Sequence, residues 1–451
     1  MICAGQAVVT HPTDGVRVLE INPALELGRG QSKVGALIPR FETGDPHMSR
    51  THALLRRIDA NRVVLRDLGS RNGITVNGIP VPAEQVLEDG ALLFIGAHVF
   101  VYRAMSREDL DAITLELTHP FGPVPTMSPL LARLFEKVRR LARSDVDILL
   151  GGETGVGKEV VANAIHKESG RPGPFVAINC AALPDTLLES ELFGYARGAH
   201  SMAEHGKPGL IEQAETGTLF LDEIGEMSTS AQSKLLRFLQ DRLVLPLGAT
   251  RPRRLDVRVI AASRRSIATT DQLSGIRQES GIRFDLAACL GPEPLIIPPL
   301  RARVEDIGLL VRHFLRNSSW SFDIRSYRGL FLHSWPGNVR ELEKTLRLAT
   351  VLSEGRQQID PQTLTFPPTA QTLPEVPPRI VAAVAATVAG AAQPARPSAD
   401  QLSLLLERHK GNVAEVAREL RRQRTLVWRW LRKAGLDPAR FRDSEGADPP
   451  A

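Results

Sequence analysis

Cysteine is scarce in this sequence: Cys3, Cys180 and Cys289 are the only three in 451 residues. An odd number at such wide spacing excludes a disulfide framework and a zinc-ligand pattern, so a reducing cytoplasm is the expected setting. Long hydrophobic runs are missing too. The longest apolar stretch, Ile380 to Ala392, is Ala-rich and shorter than the roughly 20 residues a membrane span requires, and it reads as a linker or a short helix. The N-terminus lacks the basic, apolar and small-residue order of a secretory signal. With a net charge of +5, neither sign of charge dominates, and where the basic excess sits matters more than its size. A chain of this length accommodates about three domains.

What is present is organised around Gly151 to Glu159, GGETGVGKE. Gly152, Glu153, Thr154, Gly155, Val156, Gly157 and Lys158 fit the phosphate-loop spacing G-x-x-x-x-G-K, with an apolar strand before (Val146 to Leu150) and a helical run after (Val160 to His166). Glycines let the backbone wrap phosphates closely, the amides point at the anion, and the Lys158 ammonium bridges two phosphate groups. Glu159 stands where the general pattern has a hydroxyl for magnesium. Farther on, the apolar run Thr218 to Leu221 delivers Asp222 and Glu223, one carboxylate for a metal shell and one to polarise water.

From Val16 to Tyr102 the chain reads as short strands at Val16 to Glu20, Leu54 to Ile58, Val63 to Asp67, Ile74 to Val76 and Ala91 to Val101, the pattern of an all-β sandwich. Gly28-Arg29, Ser49-Arg50-Thr51-His52-Ala53, Asp67 to Gly73 and Val76-Asn77-Gly78 resemble, in order and spacing, the signature of the forkhead-associated (FHA) domain, a phosphothreonine-reading sandwich. Arg29, Ser49, Arg50, Arg71 and Asn72 would supply guanidinium, hydroxyl and amide donors to a dianionic phosphate. By the resemblance, Arg29 and Ser49 hold the phosphate, Asn72 holds the peptide backbone, and His52 braces the loop. The segment from Gly30 to His47 is long for the family and carries extra Arg and Pro.

The phosphate loop, Ile178 to Pro184, Glu191-Leu192-Phe193-Gly194, Gly217 to Glu223, Leu300-Arg301 and Trp335 to Leu342 together resemble the AAA+ domain of sigma-54-dependent transcriptional activators. That family also has Glu after the loop lysine, as Glu159 here. The resemblance implies ATP with Mg2+ as cofactors and a homo-oligomeric, hexameric ring. Lys158 would contact the β and γ phosphates, Asp222 would organise magnesium, and Glu223 would polarise water. Asn179 would hold Glu223 until γ-phosphate is sensed, and Arg340 would report nucleotide state.

Three departures stand out. The sigma-factor loop that the family writes GAFTGA reads Gly198, Ala199, His200, Ser201, Met202 and Ala203, which gives up part of the ~1.5 to 3 kcal/mol that burying a Phe contributes and removes the tip glycine. Of the family's paired arginines that reach a neighbouring subunit, Arg283 remains and the second position holds Cys289; such a finger is worth about 10³ to 10⁵ in rate. The family's Thr-Asn becomes Ser263-Arg264, keeping a hydroxyl and exchanging an amide for a charge.

Phe366 to Pro397 is rich in Pro and Ala and reads as a linker, after which helical periodicity resumes from Asp400 to Leu436. Gly411-Asn412-Val413 and Trp428 to Leu431 resemble the Fis-type helix-turn-helix. Arg422, Gln423, Arg424, Thr425, Arg429 and Arg432 place basic charge on a candidate DNA face.

The expected layout is an FHA β-sandwich (1–104), a linker (105–125), an α/β P-loop ATPase of AAA+ type (126–300) with a small helical lid (301–365), a second linker (366–398), an all-α helix-turn-helix (399–436) and a tail (437–451). The expected function is a cytoplasmic, DNA-binding transcriptional regulator. It would bind ATP, answer to a phosphothreonine protein and act on RNA polymerase with sigma-54, with no membrane partner. The alternatives are a sigma-54-independent regulator with slow or absent hydrolysis, and a phosphopeptide adaptor with a relic ATPase.

Overall fold

Alternation of inward and outward side chains builds the first domain as two facing sheets. In the computed structural model, which describes residues 4–11, 15–30, 38–59, 62–199, 205–264, 281–291, 293–316, 320–353, 358–366, 399–420 and 424–441, one sheet has six strands. Their order is Gly15–Ile21, Ala4–His11, His98–Met105, Leu92–Ile95, Thr75–Val76 and Ile79–Pro80. The other has five, in the order Arg40–Thr43, Ala24–Arg29, Ala53–Arg57, Val63–Asp67 and Glu84–Leu87. Leu27, Leu55, Leu65, Leu93 and Phe100 fill the space between them.

The run Ala91 to Val101, expected as one strand, is a hairpin in which Ile95 pairs with His98. Gly96, at φ +60°, makes the turn. Leu93, Ile95, Phe100 and Tyr102 point into the sandwich, whereas Leu92, Phe94, Val99, Val101 and Met105 point out of it and are buried as well.

The stretch 105–125, expected as a linker, contains the helix Arg107–Thr118. Ser106 and Asp109 close a reciprocal capping box at its start, which supplies partners for two otherwise orphaned donors. Next come the helix Pro129–Ala142 and a parallel sheet ordered Phe175–Asn179, Thr218–Asp222, Arg258–Ser263, Ile148–Gly151 and Leu295–Ile296. All four residues of Ile148–Gly151 are buried, as a central parallel strand requires. Three helices, Ile307–Phe314, Ile324–Leu332 and Asn338–Leu352, form the lid around the fully buried Trp335, whose Nε1 donates to Leu330 O at 2.7 Å. The outward face of the six-stranded sheet shares one hydrophobic core with these helices, including Ile307, Leu310, Tyr327 and Phe331.

The chain divides into two compact units, Met1–Pro367 and Pro368–Ala451. The second contains the helices Ala399–Arg408, Val413–Glu419 and Arg424–Ala434, packed through Leu402, Leu406, Val416, Val427 and Leu431. The Asn412 side chain caps the second of these by accepting from Ala414 N at 3.1 Å. Among the described residues no helix is long and apolar enough to cross a membrane; Ile380 to Ala392 lies outside them.

Candidate functional site

The phosphate loop leaves the strand Ile148–Gly151 and enters the helix Lys158–Ser169 through three glycines at positive φ: Gly152 at +150°, Gly155 at +80° and Gly157 at +105°. At Gly155 space adds to the conformational demand, because a Cβ there would stand 2.3 Å from Gly337 O. Lys158 is buried at the first turn of the helix. Its ammonium donates to Gly152 O at 3.0 Å and lies 3.6 Å from Glu223 Oε1. A desolvated cation beside amides at a helix start is an anion site by its own chemistry. Glu159 is exposed and faces a separate shallow groove with Asn163 and Lys167, away from Lys158.

The strand Thr218–Asp222 brings the carboxylates to the same sheet end. Asp222 Oδ1 accepts from Glu223 N at 3.1 Å, and Glu223 adopts a left-handed backbone (φ 54°) that turns its side chain back toward Lys158. Ser263 is buried at the end of the next strand, and its carbonyl accepts from Gly152 N at 3.2 Å. Asn179 ends the neighbouring strand Phe175–Asn179. In register it pairs with Asp222, and its side-chain oxygen accepts from Ala181 N at 2.9 Å, capping a short 3-10 turn. Among the described residues no hydrogen bond joins Asn179 to Glu223; the main-chain N–H of Arg264 bonds that carboxylate, at 3.2 Å.

The lid reaches into the loop. Val339 N donates to Gly155 O at 3.0 Å, and the buried Asn338 amide donates to Glu153 Oε2 and Thr154 O, both at 3.1 Å. Arg301 pairs with Glu153, which holds the Glu153 carboxyl below its ordinary value, and Arg303 donates to Val156 O at 2.8 Å. Arg340 is exposed at the first turn of the lid helix, its Cβ beside Gly155. Between loop, lid and the segment Phe121 to Thr126 lies a largely apolar cleft of about 220 Å³, lined among others by Val160, Leu310 and Val339. Its size and lining suit a flat aromatic base. Sequence reading missed this wall because its residues come from three distant segments with no motif in common.

Arg283 lies just before the helix Phe284–Leu290. It is held by its own chain, in a two-pronged pair with Asp285 (3.0 and 2.6 Å) and a bond to Ser233 Oγ at 2.8 Å. Cys289 on that helix is exposed, while burial, with Asp222 and Glu223 nearby, pushes the Cys180 thiol up to about 12. Gly198 and Ala199 are described, with Ala199 N donating to Ala196 O; His200, Ser201, Met202 and Ala203 lie outside the described residues. So do Arg422 and Gln423, while Arg424, Thr425, Arg429 and Arg432 belong to the third helix of the second unit.

At one end of the sandwich the candidate phosphate ligands are stitched together. Arg29 N donates to Ser49 O at 2.9 Å, Arg71 N to Ser49 Oγ at 3.0 Å, and Asn72 Nδ2 to His47 O at 2.8 Å. Buried His52 accepts from Ser49 N at Nδ1 (3.1 Å) and places Nε2 3.2 Å from Gly73 O, so its ring joins the two loops. Arg40, from the long segment, donates to the carbonyls of Arg29 and Arg50 and sets both arginine-bearing backbones. Arg29, Arg50, Arg71 and Asn72 are exposed residues.

Beneath these loops Asp45 is buried. It accepts from Ala97 N at 2.6 Å and His47 N at 2.8 Å, with the His98 ring 3.4 Å away. Burial by itself pushes the Asp45 carboxyl up, but the two amides and the histidines outweigh it and hold the carboxyl below its ordinary value. A lowered folded pKa gives stability that is present above the unfolded value and lost as pH falls through the folded one. Wild type is therefore expected to exceed Asp45→Asn by about 1 to 3 kcal/mol near neutral pH, the gap closing below about pH 4. Melting curves across that range check this; a gap constant down to about pH 3 contradicts it.

The same turn meets the lid: Arg328, on the helix Ile324–Leu332, donates to Gly96 O and lies 5.5 Å over the Phe94 ring. Arg103 donates to Ala302 O at 3.0 Å and to the buried Glu305 at 2.8 Å.

Family models described as the Sigma-54 interaction domain, the AAA+ ATPase lid domain and the FHA domain match residues 124–286, 301–375 and 25–96. Transcriptional regulatory protein GlrR of Escherichia coli (strain K12) is 38% identical over 336 residues, covering 71% of this chain and 70% of GlrR. The anaerobic nitric oxide reductase transcription regulator NorR of Aeromonas hydrophila is 35% identical over 387 residues, covering 80% of this chain and 75% of NorR. A crystal structure of NtrX from Brucella abortus in complex with ATP covers 74% of each chain at 28% identity, with a TM-score of 0.48.

Proposed function

This chain belongs to the sigma-54-dependent AAA+ transcriptional regulators and carries an FHA domain, and from that premise we propose a regulator whose use of ATP is set by phosphothreonine recognition. One observation carries the reading. The lid that bonds into the phosphate loop through Asn338 and Val339 is packed, on its other side, against the outward face of the FHA sheet. A change in how that sheet sits on the lid therefore reaches Gly155 and Arg340 through solid contacts.

In this reading Lys158 and the loop amides hold the nucleotide phosphates, Glu223 polarises water, and the base lies in the cleft beside Phe121 to Thr126. Asp222 is the carboxylate that fits magnesium, a hard cation held by one protein oxygen and phosphate oxygens, which when bound neutralises developing phosphate charge. Arg29, Ser49, Arg50 and Arg71 hold the phosphothreonine, Asn72 holds the peptide backbone, and the third helix of the second unit reads DNA. The active assembly is a ring, with Arg283 leaving Asp285 for a neighbour's nucleotide.

The test is a binding cycle with a phosphothreonine peptide and ATP. Arg29→Ala is expected to weaken peptide binding roughly 10- to 100-fold, as loss of a charge-assisted fork does. Peptide is expected to shift ATP affinity, and ATP to shift peptide affinity, by the same factor. Independent affinities would sink control through the FHA domain.

A second reading, regulation without sigma-54, is favoured by Cys289, exposed where the family resemblance expects an arginine. Capture of purified sigma-54 by the protein trapped with ADP and a metal fluoride supports the first reading. Capture only by a variant restored to GAFTGA supports the second.

A further inference from the structure

A carboxylate that polarises water must be able to turn toward that water, so the groups that touch Glu223 matter for its reach. Glu223 and Glu226 are three residues apart across the 3-10 turn Ile224–Glu226 that follows the strand Thr218–Asp222. That spacing stacks side chains on one side of such a turn. The neighbouring parallel strand, Arg258–Ser263, ends beside them, and Arg264 is the next residue. Its main-chain N–H donates to Glu223 Oε2 at 3.2 Å, its Nε stands 3.9 Å from the same oxygen, and its Nη2 is 2.7 Å from Glu226 Oε1. The other Glu223 oxygen is 3.6 Å from Lys158.

We propose that Arg264 is a positioning residue that restrains Glu223: in this chain a guanidinium shared between Glu223 and Glu226 holds the water-polarising carboxylate at rest. The proposal rests on the reading of Glu223 as the base of ATP hydrolysis. A carboxylate held by the Arg264 main-chain N–H and guanidinium is slower to turn toward water, so Arg264 keeps basal turnover low. Glu226 holds the guanidinium partly off Glu223 and so sets how strong the restraint is.

Steady ATP turnover of the full chain tests this, with binding of a fluorescent ATP analogue as the control for folding. Arg264→Ala is expected to raise kcat about threefold to tenfold with KM for ATP within about twofold, the scale on which a half-exposed ion pair shifts a barrier. Arg264→Lys, which keeps the charge without the fork, is expected to fall between wild type and Arg264→Ala. Glu226→Gln is expected to lower kcat, because it releases the guanidinium onto Glu223. A merely structural role would move Arg264→Ala and Glu226→Gln in the same direction. Unchanged or lower kcat in Arg264→Ala overturns the assignment, as does a rise in Arg264→Asn that Arg264→Ala does not share, since that would credit an added amide. If these fail while Glu223→Gln still abolishes turnover, only the assignment falls. If every variant and wild type bind nucleotide but none turns over, the hydrolysis reading falls with it.

Discussion

Glu223→Gln is expected to cut steady ATP turnover about 10²- to 10⁴-fold while ATP binding is preserved, the loss that follows removal of a general base. The substitution is close to isosteric, so the loop, the lid contacts and the buried Lys158 keep their places. What disappears is the oxygen that accepts a proton from the attacking water. Binding is expected to hold or tighten slightly, because Lys158 loses a competitor 3.6 Å away for its ammonium. Turnover by the malachite-green phosphate assay and binding by a fluorescent nucleotide separate the two effects. Equal turnover in wild type and variant would remove Glu223 from the chemistry. A wild type that binds ATP without any turnover would favour the phosphopeptide adaptor with a relic ATPase.

Breaking the pair between Arg103 and Glu305 is expected to destabilise the first unit by about 3 to 5 kcal/mol, as removal of one partner from a buried ion pair does. Glu305 is fully enclosed and Arg103 is 13% exposed, and they join the last strand of the sandwich to the start of the lid. Burial dominates at Glu305 and pushes its carboxyl up despite Arg103. At Arg103, whose edge reaches solvent and Asp89, burial is outweighed by Glu305 and Asp89, and the guanidinium is held above its ordinary value.

The pH dependence of Arg103→Ala follows from the sign at Glu305. Without its partner the carboxyl is pushed further up, and a raised folded pKa favours the folded state below the unfolded value and penalises it as pH rises. The deficit of Arg103→Ala is therefore largest near neutral pH and shrinks as pH falls into the carboxylate range. Urea denaturation at about pH 7 and about pH 5 measures it. Replacing both partners with Leu is expected to recover most of the loss, since an apolar pair carries no stranded charge. A deficit below about 1 kcal/mol would mean that water reaches Glu305 and that the sandwich does not dock there.

The phosphate loop was legible from residue types because its function is a property of local backbone: three glycines, a lysine and a helix start act together wherever the chain continues. Asp222 and Glu223 were legible for the same reason, at the tip of an apolar strand. The FHA loops could be read from their spacing, yet Arg40, which sets the carbonyls of Arg29 and Arg50, could not, since it is one arginine among many in a long segment. The helix Arg107–Thr118 hid behind short polar patterning, although Ser106 and Asp109 already spelled its cap. The run Ala91 to Val101, apolar except for Gly96 and His98, did carry a signal. A strand pair covered on one face alternates, whereas one covered on both does not.

By itself the sequence determined the phosphate loop, the strand-tip carboxylates and the layout of sandwich, ATPase, lid and terminal helices, because spacing along a strand, turn or helix fixes which groups share a face. Tertiary structure alone decided that Arg264 bonds Glu223, that a base-sized cleft opens beside Phe121 to Thr126, and that the sandwich is mounted on the lid. Those arrangements join residues as far apart as Arg103 and Glu305, 202 positions along the chain. Burial can pair any donor with any acceptor once the domains pack, and no local period records which pair it will be.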